Sequence, residues 1–144
     1  MPSKRQLEEE IRQRKEAELR FKAILDNAFQ FIGLLEPDGT VVEANQTALD
    51  FAGLTLEQAK GQKFWAAPWW DQGEEMQKKL KDAIHRAANG EFIRFDAENY
   101  GADGKSITVD FSLRPVFDDD GKVKYLVPEG RNISEKKKLE NDLM

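Results

Sequence analysis

The chain has 144 residues, of which 40% are hydrophobic and 34% charged, with a net charge of −5. This length gives one domain with one core and room for a helical extension, and the acidic balance argues against nucleic-acid or anionic-membrane partners. Without cysteine there are no disulfides, thiolate metal sites or thiol catalysis. Because no signal peptide or membrane-spanning apolar run is present, we expect a cytoplasmic domain without direct membrane contact, whose parent chain could still be membrane-anchored.

The N-terminal segment, residues 4–25, is predicted to form a helix that begins with a capping box of Ser3 and Gln6. Interrupted only at Arg14, apolar or small side chains recur every three or four residues. They are Leu7, Ile11, Ala17, Phe21 and Ile24. This spacing is typical of a coiled-coil seam and would make these residues a homodimer interface. It fits equally an amphipathic helix packed on its own domain, since mixed-sign flanking charges suit both.

The next segment is predicted to be a hairpin of residues 31–35 and 40–44 around a Pro-Asp-Gly turn. Asn45 then caps a short helix over residues 46–51, because its side chain can accept from a first-turn N–H. A second short helix begins at Thr55 with another capping signature.

The longest helix of the domain is predicted over residues 71–88. Its apolar stripe comprises Met76, Leu80, Ala83, Ile84 and Ala87.

A third strand covers residues 92–98. Residues 107–114 alternate apolar and polar side chains, which indicates a fourth strand, and an acidic turn at 118–121 leads into a fifth over 123–128. The sequence therefore predicts an α+β fold with a five-stranded antiparallel sheet and helices on one face.

The order of these elements over roughly residues 21–134 resembles the PAS domain family. Residues 64–70, Phe-Trp-Ala-Ala-Pro-Trp-Trp, are similar to a bacterial PAS subgroup common in multi-domain sensor histidine kinases. The last strand ends in Asn132-Ile133-Ser134, where the family usually has Asp-Ile-Thr.

The resemblance implies a sensory module of a bacterial two-component system, followed by an effector domain in the parent chain. We expect a helical connector over residues 1–25, the PAS-like domain over 26–133 and the start of a signalling helix over 134–144. Asn132, Ile133 and Ser134 would relay a change to that helix, which Ser134 can N-cap. Since Asn132 replaces a charged Asp, a charge-paired latch would be weaker or absent.

The resemblance also implies a ligand cavity under the helices. Each cofactor that is common in the family requires particular residues, which can be sought in the sequence. Haem requires an axial ligand, but the single histidine, His85, lies about 100° round its helix from the apolar stripe. Flavin photochemistry requires a cysteine. A metal requires clustered ligands, and Asp118, Asp119 and Asp120 are better explained by a solvated turn. No cofactor is identifiable, which leaves an unknown small organic ligand.

The candidate pocket residues fall into an aromatic and a polar group. Asn45, Phe64, Trp65, Trp69 and Trp70 belong to the first. The three tryptophans could form an aromatic wall for a ligand or simply fill the core, and the adjacent Trp69 and Trp70 are expected to point apart.

The polar group shares faces of the last three strands. It comprises Arg94, Asp110, Ser112, Arg114, Glu129 and Arg131. These side chains would line a polar pocket if their face is the inner one, or form ordinary surface pairs if it faces solvent.

No catalytic motif is present, so we expect no enzymatic activity. Two functional hypotheses remain. The chain is a ligand-binding sensor that relays a conformational change, or it is a ligand-free homodimerisation module. A small enzyme or carrier has little support, because no acid–base pair can be identified.

Overall fold

The computed structural model describes all 144 residues. In chain order the elements are α1 (Lys4–Asp26), β1 (Phe31–Leu35), β2 (Val41–Ala44), α2 (Gln46–Ala52), α3 (Leu56–Ala59), a 3₁₀ turn (Phe64–Ala66), α4 (Glu74–Ala88), β3 (Ile93–Tyr100), β4 (Ser106–Phe117), β5 (Val123–Asn132) and α5 (Ser134–Asp142).

The five strands form one antiparallel sheet in the order β2-β1-β5-β4-β3. The predicted α+β fold is therefore confirmed. The last strand, β5, lies in the centre, between β1 and β4. The chain consequently enters and leaves the sheet on neighbouring strands, with Phe31 paired to Gly130.

The core occupies one face of this sheet. Along β4, Val109, Phe111 and Leu113 are buried, and they share a core cluster with Leu80 and Ile84 of α4. The alternation of a strand therefore turns the polar residues of β4 to the opposite, open face. This answers the question, left open by the sequence, of which face is the inner one.

Three helices begin with the predicted capping signals. The side-chain oxygens of Ser3, Asn45 and Thr55 each accept a hydrogen bond from a first-turn backbone N–H. The start of α4 was predicted wrongly. Asp71 stays outside the helix and accepts from the N–H of Gly73, which is the N-cap.

Strand β4 continues further than predicted and contains Pro115. Its pairing with β3 ends at Leu113, so from Pro115 onward β4 has only β5 as a neighbour. A proline, which has no N–H to donate, is tolerated at such an edge.

Helix α1 does not pack along its own domain, which excludes one of the two alternatives for this segment. Among its residues only Leu25 is buried, while Ile11 and Ile24 are 53% and 74% exposed. At 1.5 Å per residue the 23-residue helix is about 34 Å long. It therefore presents an uncovered surface over nearly its whole length.

A single buried side chain, that of Asn45, joins the end of α1 to β1 and α2. Its Nδ2 donates to the carbonyl oxygens of Leu25 (2.8 Å) and Gln30 (2.9 Å). Its Oδ1 accepts from the N–H groups of Ile32 (3.1 Å) and Ala48 (3.2 Å). Asn45 is completely buried, so its amide, rather than water, is the hydrogen-bond partner of these four backbone groups.

We expect Asn45→Ala to lower the free energy of unfolding by about 3 kcal/mol, because several buried polar groups would lose their partner at once. Urea denaturation of both proteins measures the change. Asn89→Ala is the matched control, since Asn89 is exposed at the end of α4 and its side chain donates only to the carbonyl oxygen of His85. Equal, small effects of both substitutions would contradict this role of Asn45.

Candidate ligand cavity and exit strand

A partly open cavity of about 40 Å³ lies between the inner face of the sheet, α2 and the segment that follows the 3₁₀ turn. Its apolar wall includes Phe31, Leu35, Ala48, Phe51, Phe64 and Phe111. One water takes about 10–15 Å³ of such space, so the cavity holds about three waters or one very small organic molecule.

Four aromatic rings pack together on one side of this cavity. The ring centroid of Phe64 lies 5.6 Å from Trp70, 6.2 Å from Trp69 and 5.8 Å from Phe111. Trp70 also meets Phe111 edge to face at 5.1 Å. These distances are typical of favourable aromatic packing, so the group both fills the core and shapes the cavity.

Trp69 and Trp70 both line this cavity, although Trp70 is buried and Trp69 is half-buried. The chain turns at this point, since the N–H of Trp70 donates to the carbonyl oxygen of Ala67. Trp69 also lines a second depression, of about 170 Å³, beside α3. The third tryptophan, Trp65, lies outside the cavity, where its ring packs against Gly39 of the β1–β2 turn.

Two residues of the cavity wall, Trp70 and Asn99, carry buried polar groups with incomplete hydrogen bonding. Trp70 is 2% exposed, and its Nε1–H has no partner. Asn99, at 3% exposed, donates through Nδ2 to the carbonyl oxygen of Trp69 at 3.3 Å. Sequence reasoning missed Asn99 because the predicted third strand ended at residue 98. Strand β3 continues to Tyr100, and the alternation from Ile93 and Ala97 places Asn99 on the inner face.

Asn45, another pocket candidate, is not part of the cavity wall. Its four hydrogen bonds to the backbone account for its burial.

The polar candidates of the last three strands lie on the open face of the sheet. They line a shallow depression of about 180 Å³ there, together with Gln30 and Phe92. At its centre Arg94 donates two hydrogen bonds to Asp110, at 2.9 and 2.6 Å, and Arg131 approaches the same carboxylate to 3.8 Å. The guanidinium of Arg114 lies 5.1 Å from the ring centroid of Phe92.

Arg94, Asp110 and Arg131 are thus paired with one another, whereas Arg114 contacts the ring of Phe92. Hydrogen bonds from Arg94 are the main reason why the pKa of Asp110 lies below its ordinary value. The carboxylate form of Asp110 is therefore favoured at neutral pH. Surface pairs of this kind contribute little to folding stability, and nothing in their geometry calls for a ligand.

His85 is exposed on α4 and does not line the cavity. In the acidic turn, Asp118 Oδ1 accepts from the N–H groups of Asp120 and Lys122, as a turn requires.

No group of three or more histidines and carboxylates is placed to hold a metal ion. None of the helices combines the length and the apolar character that a membrane span needs.

The junction of β5 and α5 differs from the prediction in the residue at the N-cap position of the helix. Ile133, not Ser134, occupies the N-cap position of α5, and Asn132 Oδ1 accepts from the N–H of Ser134 at 3.0 Å. The hydroxyl of Ser134 turns back to β4, where it accepts from the N–H of Thr108 at 2.8 Å. The predicted capping role of Ser134 is therefore wrong; α5 has no side-chain N-cap, and Asn132, one residue before the cap position, accepts from the first N–H of the helix.

Comparison with known proteins identifies the family. The family described as "PAS fold" matches residues 25–138, and the chain belongs to it. The crystal structure of the PAS domain of an HTR-like protein from Haloarcula marismortui superimposes with a TM-score of 0.68 at 19% identity, over 88% of this chain and 99% of that one.

Two sensor kinases contain more similar sequences. Sensor histidine kinase TmoS of Ectopseudomonas mendocina is 44% identical over 121 residues, which cover 83% of this chain and 12% of that protein. Hybrid signal transduction histidine kinase D of Dictyostelium discoideum is 40% identical over 118 residues, 81% of this chain and 8% of that protein. The chain thus spans about a tenth of these relatives, and its family is the sensory domain of signal-transduction proteins.

Proposed function

We propose that the chain is a small-molecule sensor whose cavity controls the position of the C-terminal helix. The observation that carries this proposal is that one strand, β5, serves both parts. Pro128 and Gly130 belong to the cavity wall, and the same strand continues through Ile133 into α5. If this wall has two arrangements and a molecule binds one of them more tightly, that molecule shifts the equilibrium towards it and so moves the start of α5.

Three contacts couple the beginning of α5 to the sheet. The N–H of Ile133 donates to the carbonyl oxygen of Thr108 at 2.8 Å, and the Ser134 hydroxyl bonds to the N–H of the same residue. One turn later Lys137 Nζ lies 3.2 Å from Asp96 of β3. A displacement of β5 against β4 would therefore strain all three contacts and change the direction or stability of α5.

The relatives support placing this domain in a multi-domain sensor kinase. In that setting α5 leads to an effector domain, and the domain lies in the cytoplasm of a bacterial cell. No catalytic step is assigned to the domain itself.

Homodimerisation through α1 is the second part of the proposal. The residues of the seam, from Leu7 to Ile24, stay exposed because the helix has no partner in its own chain. A second copy supplies the same apolar stripe in matching register, which a coiled coil requires. Ionic pairs such as Arg12 with Glu16 at 3.1 Å already keep the flanking positions charged.

Filling the cavity should abolish ligand binding. Ala48 of α2 is buried in the cavity wall, and Ala48→Leu adds three carbon atoms there. We expect neutral small molecules that raise the melting temperature of the wild type to have no effect on this variant. Ala23→Leu, on the exposed part of α1, is the matched control and should keep every response. Molecules that stabilise Ala48→Leu as well as the wild type would refute binding in the cavity.

The relay should fail in Ile133→Asp, because a carboxylate at this buried position disrupts the junction of β5 and α5. Hydrogen exchange of residues 134–142 is measured with and without a molecule found in the first experiment. We expect the wild type to show a ligand-dependent change that the variant lacks, with affinity altered less than about twofold. Leu139→Asp, an exposed position on the same helix, should respond like the wild type. An equal response in Ile133→Asp would disprove the relay.

The dimer should depend on the seam of α1. We expect sedimentation equilibrium to show a dimer that Ile11→Asp weakens at least tenfold, since each interface would then bury two carboxylates. Leu19→Asp is the matched control, because Leu19 is exposed about 120° round the helix from Leu7. A monomeric wild type, or equal effects of both substitutions, would exclude this interface.

A further inference from the structure

We infer that the cavity takes a compact, uncharged aromatic molecule with one N–H or O–H group, and that this group donates a hydrogen bond to Oδ1 of Asn99. The inference rests on the proposed sensor function and adds the chemical class of the ligand.

Asn99 brings an unpaired acceptor to the cavity. The residue lies on the inner face of β3, is 3% exposed and forms part of the cavity wall. Both hydrogen bonds of its side chain are donated by Nδ2, to the carbonyl oxygens of Trp69 (3.3 Å) and Glu98 (3.2 Å), so Oδ1 accepts none within the chain. Buried acceptors in native proteins are almost always paired, and a partner for this one has to come from outside the chain.

The same two hydrogen bonds fix the orientation of the Asn99 amide. Turning the amide over would place Oδ1, an acceptor, against two carbonyl oxygens that are acceptors as well. The orientation that satisfies both carbonyls therefore leaves Oδ1 as the free atom.

The free Oδ1 of Asn99 is open to the cavity. Among the side-chain nitrogen and oxygen atoms without a hydrogen-bond partner, Trp70 Nε1 is the one that is fully enclosed by the protein, so Asn99 Oδ1 is not. Asn99 lines the cavity and contributes neither to the depression beside α3 nor to the depression on the open face. A donor bound in the cavity can consequently reach this oxygen.

The cavity excludes charge. Two carboxylate residues, Glu43 and Glu129, contribute to its wall, but strand alternation directs their side chains to the open face: Glu43 lies opposite Leu34, and Glu129 lies opposite Ser112. No lysine or arginine lines the cavity. A charged ligand would lose its hydration without gaining an opposite charge, so the ligand is neutral.

The rings of the wall favour a small, flat molecule. The ring centroids of Phe31 and Phe51 lie 5.0 Å apart, and those of Phe64 and Phe111 lie 5.8 Å apart. Aromatic rings attract one another at such distances, so a planar aromatic molecule is favoured over an aliphatic one of the same size. The volume of about 40 Å³ limits it to a few non-hydrogen atoms.

The test compares pyrrole and furan, two aromatic rings of nearly the same shape that differ in having an N–H group or an oxygen at one position. Nuclear magnetic resonance of the complete chain follows the side-chain amide signals of Asn99 during titration with each compound. We expect pyrrole to shift these signals and to bind about tenfold more tightly than furan, the preference that one hydrogen bond to a buried acceptor provides.

Asn99→Leu keeps the size of the side chain but removes the acceptor, so it should abolish the preference for pyrrole. Asn89→Leu, the same change at the exposed end of α4, should keep the preference of the wild type. Because Asn99→Leu also removes the hydrogen bond to Trp69, the comparison of the two compounds on the wild type is designed to decide without it.

Equal affinities of the wild type for pyrrole and furan would overturn the inference and leave the sensor function standing. The inference would also be overturned if neither ring bound, or if pyrrole bound without shifting the Asn99 signals, including the case of a water that stays on Oδ1. The thermal response of Ala48→Leu tests the sensor function separately.

Discussion

The hydrogen bonds of Asn45 are the constraint on which the arrangement of this domain depends. One buried amide fixes the end of α1, the start of β1 and the first turn of α2 relative to one another. No apolar residue could do so, because each of the four backbone groups needs a polar partner away from water. The wall of the cavity begins immediately beyond this point, at Phe31 on one side and Ala48 on the other, so the same amide also positions the candidate site.

Strand alternation divides the functions of the sheet between its two faces. The inner face is apolar apart from Asn99 and borders the partly open cavity, whereas the outer face holds the paired charges around Asp110. A ligand that separated these paired charges would have to break the attraction between them, which opposes its binding. The candidate ligand cavity therefore lies on the inner face, and the outer face presents a charged surface.

Features that depend on neighbouring residues could be predicted from the sequence, and features that depend on distant ones could not. Capping residues such as Ser3 and Thr55, and the alternation along β4, are local signals and predicted the elements correctly. The turn of the Ser134 hydroxyl towards Thr108 arises from strand pairing, whereas Asn99 was missed because the predicted third strand ended one residue before it. Trp69 and Trp70 line one cavity because the chain turns there, which no periodicity indicates.

The pairing of β1 with β5 has a consequence for how the two ends of the domain communicate. Phe31 follows closely on α1, Gly130 closely precedes α5, and the two residues face each other in the cavity wall. A Cβ atom on residue 130 would approach the ring of Phe31 to 3.2 Å, so glycine allows the close packing seen here. In the proposed sensor, a ligand that moved this ring would displace the entering and the leaving segments together. Because coupling between sites is reciprocal, dimerisation through α1 would change ligand affinity by the same factor by which the ligand changes dimerisation.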